Sequence, residues 1–334
     1  MKIVGFGDYL IHFSPVGDER FIQTDLMQMS FTGAEANVCA CLSLWGEKTE
    51  FVTRLPQHFL AQKGIAFLKS LGVITDNIPK CDLRMGTYFL ENGRSLRPSY
   101  VIYDRNDSAF TTSNYADYDW DNILKSAKII YLSGITPSLS DSLFKCCLEL
   151  LKQARRKNID VFFDVNYRPS LCSCEKSKEI IDKLLPYITY LIGNEEHFKM
   201  IFGISSLHGE DEPKKRLFDV ISKIKEYTKI NNIAVTVRRT ISSSETVIYA
   251  AYMQEKIFSV SPQRIIQVID RVGSGDAFAA GLIYATVNGY STEDCVKFAS
   301  ASSAFKHTVT KDINFATVEE IKNLITKQGH DVRR

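Results

Sequence analysis

The residues Asp270-Arg271-Val272-Gly273-Ser274-Gly275-Asp276 combine two features that together could move a phosphate. Glycines at 273 and 275 permit backbone conformations closed to other residues and let a ligand come close to main-chain N–H groups. The apolar run that follows, residues 277–287, reads as a helix whose first turn leaves unpaired donors and a positive dipole end suited to an anion. The Asp276 carboxylate stands at the mouth of that anion site, where it would repel the phosphate that the turn attracts. A base that takes a proton from a hydroxyl attacking the phosphate resolves this conflict, which makes Asp276, Gly273, Ser274 and Gly275 the candidate catalytic set. Aspartate is also a favoured helix N-cap, so the same pattern can be a capped turn with no chemistry. Two other phosphate motifs are excluded. Phe278 stands where a dinucleotide fingerprint needs its third glycine, and no Gly-Lys pair for a P-loop occurs.

The elements needed to hold such a turn are legible around it. A strand at 265–269 leads in. Upstream of it, beyond Ser113, continuous apolar strands at 129–134, 161–164, 190–193 and 233–237 alternate with helices at 139–156, 175–185 and 214–228. That alternation predicts a mostly parallel sheet with helices on both faces, entered by a first strand in Lys2-Ile3-Val4-Gly5-Phe6-Gly7-Asp8. Ligands of such sheets sit beyond the carboxyl ends of the strands. The rule selects Ser133-Gly134-Ile135, Asn166-Tyr167-Arg168-Pro169 and Asn194-Glu195-Glu196. Between 86 and 112 the period changes to two. Residues 87–91, a turn at Asn92-Gly93 and residues 100–103 read as a β-hairpin with Tyr88 and Leu90 on one face and Val101 and Tyr103 sharing another. A hairpin projecting from an α/β core would form a lid, and a closed lid keeps water from a reactive phosphate. The division expected is a core of residues 1–8, 36–85 and 113–334 and a β lid of 9–35 and 86–112, with helices at 59–71, 292–306 and 317–326, a hairpin at 246–258 and a frayed tail at 327–334.

The 270–276 segment resembles the C-terminal signature of ribokinase-like, phosphofructokinase-B-type sugar kinases, Asp-Thr-x-Gly-Ala-Gly-Asp, from which Arg271 and Ser274 depart. The resemblance implies that Asp276 is the base and that the amides at 273–275 stabilise the transferred phosphoryl. Gly33 and Asn37 match the family's Gly-Gly-x-x-x-Asn sugar motif, with Thr32 in place of the first glycine. The run Gly33-Ala34-Glu35-Ala36-Asn37 is most like 2-keto-3-deoxygluconate kinases, and so is Asn166-Tyr167-Arg168-Pro169. In those enzymes a lid tyrosine and a Tyr-x-Arg segment bind substrate, which implicates Tyr88, Tyr103 and Arg105. With Gly33, Ala34, Asn37, Ile135 and Arg168 they form the expected substrate set. Two arginines on one pocket are wasteful for a neutral hexose but fit a sugar acid, because a planar fork suits a carboxylate or a phosphate. Which arginine holds which group stays open.

For the nucleotide the resemblance implies ATP with Mg²⁺, a monovalent cation such as K⁺ being a further candidate. The expected contacts are Asn194, Arg238, Gly273, Gly275, His307 and Asn314. Two departures bear on them. The family's Asn-x-x-Glu motif has Asn194 but His197 in the glutamate position, leaving Glu195 or Glu196 to serve the metal, with Glu196 the candidate. The glycine-rich Lys-Gly loop is replaced by Arg238-Arg239-Thr240-Ile241-Ser242-Ser243-Ser244, in which Arg238 meets a phosphate or is simply solvated. A neutral-sugar kinase of the same fold and a catalytically silent sugar-acid sensor are the alternatives.

Composition agrees with a small-molecule enzyme. The 334 residues are 45% hydrophobic, enough for a substantial core, and carry a net charge of +2 with no basic block that would create a field for nucleic acid or membranes. Lys214-Lys215-Arg216 reads as a solvated helix start. The eight cysteines include several inside apolar helical runs, as in a reducing cytoplasm, and Cys172-Ser173-Cys174 is the one close pair that could bind a metal. No signal peptide or membrane span is read at the N-terminus. The resemblance implies a homodimer formed through the lid.

Overall fold

The computed structural model describes residues 1–326, so the tail expected at 327–334 lies outside the described residues. Its principal sheet has nine strands. From one edge the order is Ile257–Val260, Glu245–Gln254, Asn232–Ser242, Tyr190–Asn194, Asp160–Asp164, Ala127–Ser133, Lys2–Phe6 and Lys48–Val52. The strands from Lys48–Val52 to Asn232–Ser242 are all mutually parallel. Their near-continuous burial follows from helices on both faces. The helix Asp141–Arg156 shows how the covering works: Leu143, Cys146, Cys147, Leu150, Leu151 and Ala154 recur at helical spacing and all are buried. Behind the other face the helices Ala34–Leu44, Ser274–Val287 and Thr292–Lys306 pack together, and the middle one is buried nearly all round. This is the expected α/β architecture, a mostly parallel sheet covered by helices on both faces.

Two local expectations change, and the strand leading into the turn takes a place the sequence pattern did not assign. The strand before the phosphate turn, Arg264–Gln267, is not part of the parallel series but pairs antiparallel with Glu245–Gln254 at the sheet's margin. The region expected as a loop after Val237 continues as strand to Ser242, because Glu245–Gln254 turns back along it and pairs with it over its length. Arg216 is not solvated. It is buried and meets Glu195 at 3.1 Å and the Tyr249 hydroxyl at 2.6 Å.

A separate four-stranded sheet runs Met27–Thr32, Leu10–Pro15, Thr87–Glu91 and Tyr100–Asp104. Its register sets Tyr88 opposite Tyr103 and Leu90 opposite Val101, so alternation turns these four toward the core. The connection at Asn92-Gly93 is longer than a two-residue turn, since the second strand resumes only at Tyr100. Residues in between reach the sheet margin: Ser243 N donates to Ser95 O at 2.9 Å, and Ser95 N to Ser244 Oγ at 2.9 Å. The loop tip therefore bridges the small sheet and the large one.

Candidate active site

Gly273 caps the helix Ser274–Val287 in the left-handed conformation, φ 79°, and no side chain caps the helix N-terminus. A Cβ at Gly273 would fall 1.8 Å from the Asp312 carbonyl oxygen, so glycine is required by both torsion and space. The segment before it is fastened to the loop after Lys306. Ile269 N and Asp270 N both donate to His307 O, at 2.8 and 3.2 Å, and Lys311 N donates to Asp270 Oδ2 at 3.0 Å. Gly273, Ser274 and Gly275 thus line a cavity of about 560 Å³ between the two sheets, with Ser274 N donating to Arg271 O at 3.3 Å within the turn. Its size suits a small ligand.

Asp276 lines this cavity at only 8% exposure, and its Oδ2 accepts from Asn37 Nδ2 at 2.8 Å. Burial pushes its carboxyl up to about 7; the Asn37 bond and the Arg168 charge work against this, while the Asp164 and Glu35 charges add to it. A carboxyl poised there exchanges a proton near neutral pH, as a general base must. Its partner Asn37 is fixed by the start of helix Ala34–Leu44, which sits against the first strand: a Cβ on Gly33 would lie 2.1 Å from Asp8 O. Glu35, next to Ala34, holds this helix start to the strand end at Ser133 and to Thr136 by three hydrogen bonds to its Oε1, of 2.7 to 3.0 Å. Burial also pushes Glu35 up, to about 7.

At the end beside the four-stranded sheet Tyr88 and Tyr103 stack with centroids 5.4 Å apart, and Arg105 lies over Tyr103 at 4.4 Å. Arg105 is 5% exposed, and its Nε and Nη2 have no partner. The Tyr88 hydroxyl and both carboxylate oxygens of Asp8 are likewise buried without a hydrogen bond, Arg105 Nη1 standing 3.7 Å from Asp8 Oδ2. Buried polar groups left this way are normally completed by a ligand or water, and here they face one cavity. Ile135, Gly33, Ala34 and Arg168 line the same space. Arg168 is exposed to it and, together with Asn166 N at 3.0 Å, restrains Asp164, whose burial pushes its carboxyl up to about 6.

At the opposite end the lining includes Asn194, Glu196, His197, Arg238, Arg271 and His307. Neither histidine carries charge near neutral pH. Burial, with Arg168 and Arg238 nearby, drives His197 down to about 4, and burial drives His307 to about 4 although its Nδ1 meets Ser303 O at 2.8 Å. Arg238 and Arg168 have no carboxylate within ion-pair distance among the described residues, and Arg271 donates instead to Ser243 O at 2.7 Å. A cavity with a buried carboxyl and a helix N-terminus in the middle, a polar pocket at one end and Arg238 without an acid partner at the other can join a hydroxyl compound to a polyphosphate.

The model of the pfkB family carbohydrate kinases matches residues 1–318. The chain belongs to that family. Among solved structures it resembles the 2-dehydro-3-deoxygluconokinase of Thermotoga maritima, 34% identical with 98% of each chain covered and a TM-score of 0.93. A pfkB family carbohydrate kinase of Listeria grayi is 28% identical over 98% of this chain and 100% of its own, with a TM-score of 0.90. The 2-dehydro-3-deoxygalactonokinase of Haloferax volcanii is 28% identical over 97% of this chain and 96% of its own.

For this pfkB kinase, all but one of the residues expected at the site line the one cavity. The exception is Asn314, which does not reach it. Its Nδ2 donates to Ser302 O and Oγ at 3.1 and 3.0 Å and its Oδ1 accepts from Ala316 N, so it braces the loop after Lys306 against the helix Thr292–Lys306. Of the two acids beside Asn194, Glu195 turns away to Arg216, while Glu196 lines the cavity. No group of three His, Cys, Asp or Glu side chains able to hold a metal occurs among the described residues, Cys172 and Cys174 included. Asp8 and Arg271 are lining residues that sequence reasoning passed over. Asp8 closes the apolar first strand on Gly-x-Gly-Asp, the same signal that singled out Asp276.

Proposed function

We propose that this pfkB kinase transfers the γ-phosphoryl of ATP to the 6-hydroxyl of 2-keto-3-deoxygluconate, giving 2-keto-3-deoxy-6-phosphogluconate. The observation that carries the reading is a nearly buried Asp276, poised at about 7, beside the uncapped N-terminus of helix Ser274–Val287 in a cavity that also holds Arg105 and Arg168. Asp276 takes the proton of the attacking hydroxyl, Asn37 orients its carboxylate, and the amides of 273–275 receive the charge on the moving phosphoryl. The arginines favour an acid over a neutral sugar, and the names of the relatives from T. maritima and H. volcanii both denote keto-deoxy sugar acids. A 5-dehydro-2-deoxygluconokinase of Clostridium beijerinckii, 25% identical over 99% of this chain, widens the set without leaving that class.

Arg238, with Asn194 and His307, faces the nucleotide; neutral histidines there pack or accept rather than add charge. The donor set fits a Mg²⁺ held mainly by phosphate oxygens, with Glu196 the one carboxylate of the Asn194 turn facing the cavity. When bound, that ion neutralises charge on the phosphates. A second copy of the chain is the expected partner. The strand Tyr100–Asp104 is an exposed sheet edge, and Phe13, Phe89 and Ile102 form an apolar row across the lid's outer side. Eight free cysteines fit a cytoplasmic setting, and no helix among the described residues is long and apolar enough to cross a membrane.

The deciding experiment is ADP release from ATP across sugar acids and neutral sugars, with Asp276→Asn as control. Turnover confined to keto-deoxy acids supports the reading. Preference for a neutral hexose, or sugar-acid binding without ADP release, would replace it with one of the alternatives.

A further inference from the structure

Lysine is almost never fully buried without a partner, yet Lys306, the last residue of helix Thr292–Lys306, has 0% exposure. Its Nζ donates to two main-chain carbonyls, Val309 O at 3.0 Å and Asp270 O at 3.4 Å, and no carboxylate lies within ion-pair distance among the described residues. Burial lowers its proton affinity, and the carboxylates of Asp270 and Asp312 pull it back. The two carbonyls belong to the two segments that make the phosphate turn: Asp270 opens the turn, and Val309 lies in the loop whose Asp312 carbonyl walls in Gly273. Carbonyl dipoles converging on one interior point repel each other unless a cation sits between them, and such oxygens are also what a bare K⁺ requires.

We infer that the Lys306 ammonium is a tethered monovalent cation that holds the phosphate turn in shape, so that phosphoryl transfer by this protein needs no added K⁺. The inference rests on the kinase reading of the turn. Lys306 does not line the cavity and acts as a positioning residue, through the carbonyls of Asp270 and Val309. A second cation at those oxygens would meet a like charge already in place.

The test compares the wild type with Lys306→Ala and Lys306→Met in sodium, potassium, ammonium and tetramethylammonium chloride at about 0.1 M, so that screening is constant. Wild-type kcat should change by less than about twofold across the salts, since the site is filled from within. A displaced turn costs on the order of a hundredfold, so Lys306→Ala should lose about that in kcat with little change in sugar KM. K⁺ or NH₄⁺ should restore about tenfold of it by entering the vacated space, whereas tetramethylammonium should not. Lys306→Met fills the space without charge and should be neither active nor rescued. Melting temperatures in the same salts carry the test without turnover: K⁺ should raise that of Lys306→Ala specifically and leave the wild type unchanged. Failure of every sugar acid as substrate alongside that melting pattern upholds the cation site and rejects the substrate reading. The inference is overturned by a wild type that K⁺ activates tenfold or more over tetramethylammonium, a result independent of how the variants fold. It is also overturned by a Lys306→Ala protein that keeps full kcat, or that is folded and inactive in every salt.

Discussion

Replacing Asp276 by asparagine should remove activity and add stability, and the two effects should part along the pH axis. The substitution keeps an oxygen that can accept from Asn37 Nδ2, so the 2.8 Å contact survives while the basic site is lost. General bases contribute about 10² to 10⁴ in rate, which at 1.36 kcal/mol per factor of ten is about 3 to 5 kcal/mol of barrier. In the wild type kcat should rise with pH through about 7, where the Asp276 carboxyl ionises, and level off above it. The stability effect has the opposite sense. A carboxyl whose folded value is raised from its ordinary 3.8 to about 7 binds its proton more tightly in the folded state. Its contribution is therefore fully present below about 4 and is lost as pH rises through 7. At 1.36 kcal/mol per pH unit, this single group withdraws up to about 4 kcal/mol between pH 4 and 8. Asparagine has no such penalty. Glu35 and Asp164 titrate in both proteins and cancel to first order in the difference. Urea melts of wild type and Asp276→Asn at pH 4 and pH 8 should show the variant gaining on the wild type as pH rises, while stopped or steady-state assays show at least a hundredfold loss of kcat at pH 8. A stability difference that is flat with pH, or a variant within tenfold of wild-type kcat, would refute the buried-base argument.

The remaining expectations concern the ends of the cavity and its turn. Arg105→Ala and Arg168→Ala should each weaken use of a sugar acid by about tenfold to a hundredfold, the worth of a charged hydrogen bond. Neutral-sugar turnover should change far less, and kcat/KM on paired substrates reads the contrast. Tyr88→Phe deletes a buried hydroxyl that has no partner in the free protein, so its melting temperature should stay level or rise. Its sugar KM should increase by about tenfold if the ligand supplies the missing partner; equal KM values in wild type and variant would remove Tyr88 from the substrate set. Gly273→Ala forces a Cβ to within 1.8 Å of Asp312 O at φ 79°, so the turn must move. A kcat loss of about a hundredfold or more is expected, with the melting temperature lowered by strain of about 1–3 kcal/mol.

How much of this was open to reading depends on whether the signal was local. The parallel core was legible because a strand buried on both faces has to be apolar throughout, as Ile129-Ile130-Tyr131-Leu132 is, and a covering helix has to repeat at 3.6. The phosphate turn was legible because glycine at 273 answers a local torsional demand. The hairpin strands were legible as well, read at 87–91 and 100–103 and found at Thr87–Glu91 and Tyr100–Asp104, but the path between them was not. Ser95 in that connection is held by Ser244, 149 positions away, and by Ser243, which no local signal shows. Arg216 failed in the same manner, since a Lys-Lys-Arg run carries no sign of the Glu195 and Tyr249 that the fold brings to it. The proton affinities lie furthest from the sequence. Asp276, Glu35 and Asp164 differ from surface acids only in what surrounds them, and for each the largest cause of the shift is burial. Residue type names the groups that can hold a proton, but the packing around them decides at which pH they do so. That is why the residues gathered at the site could be named from motifs, while their proton affinities needed the structure.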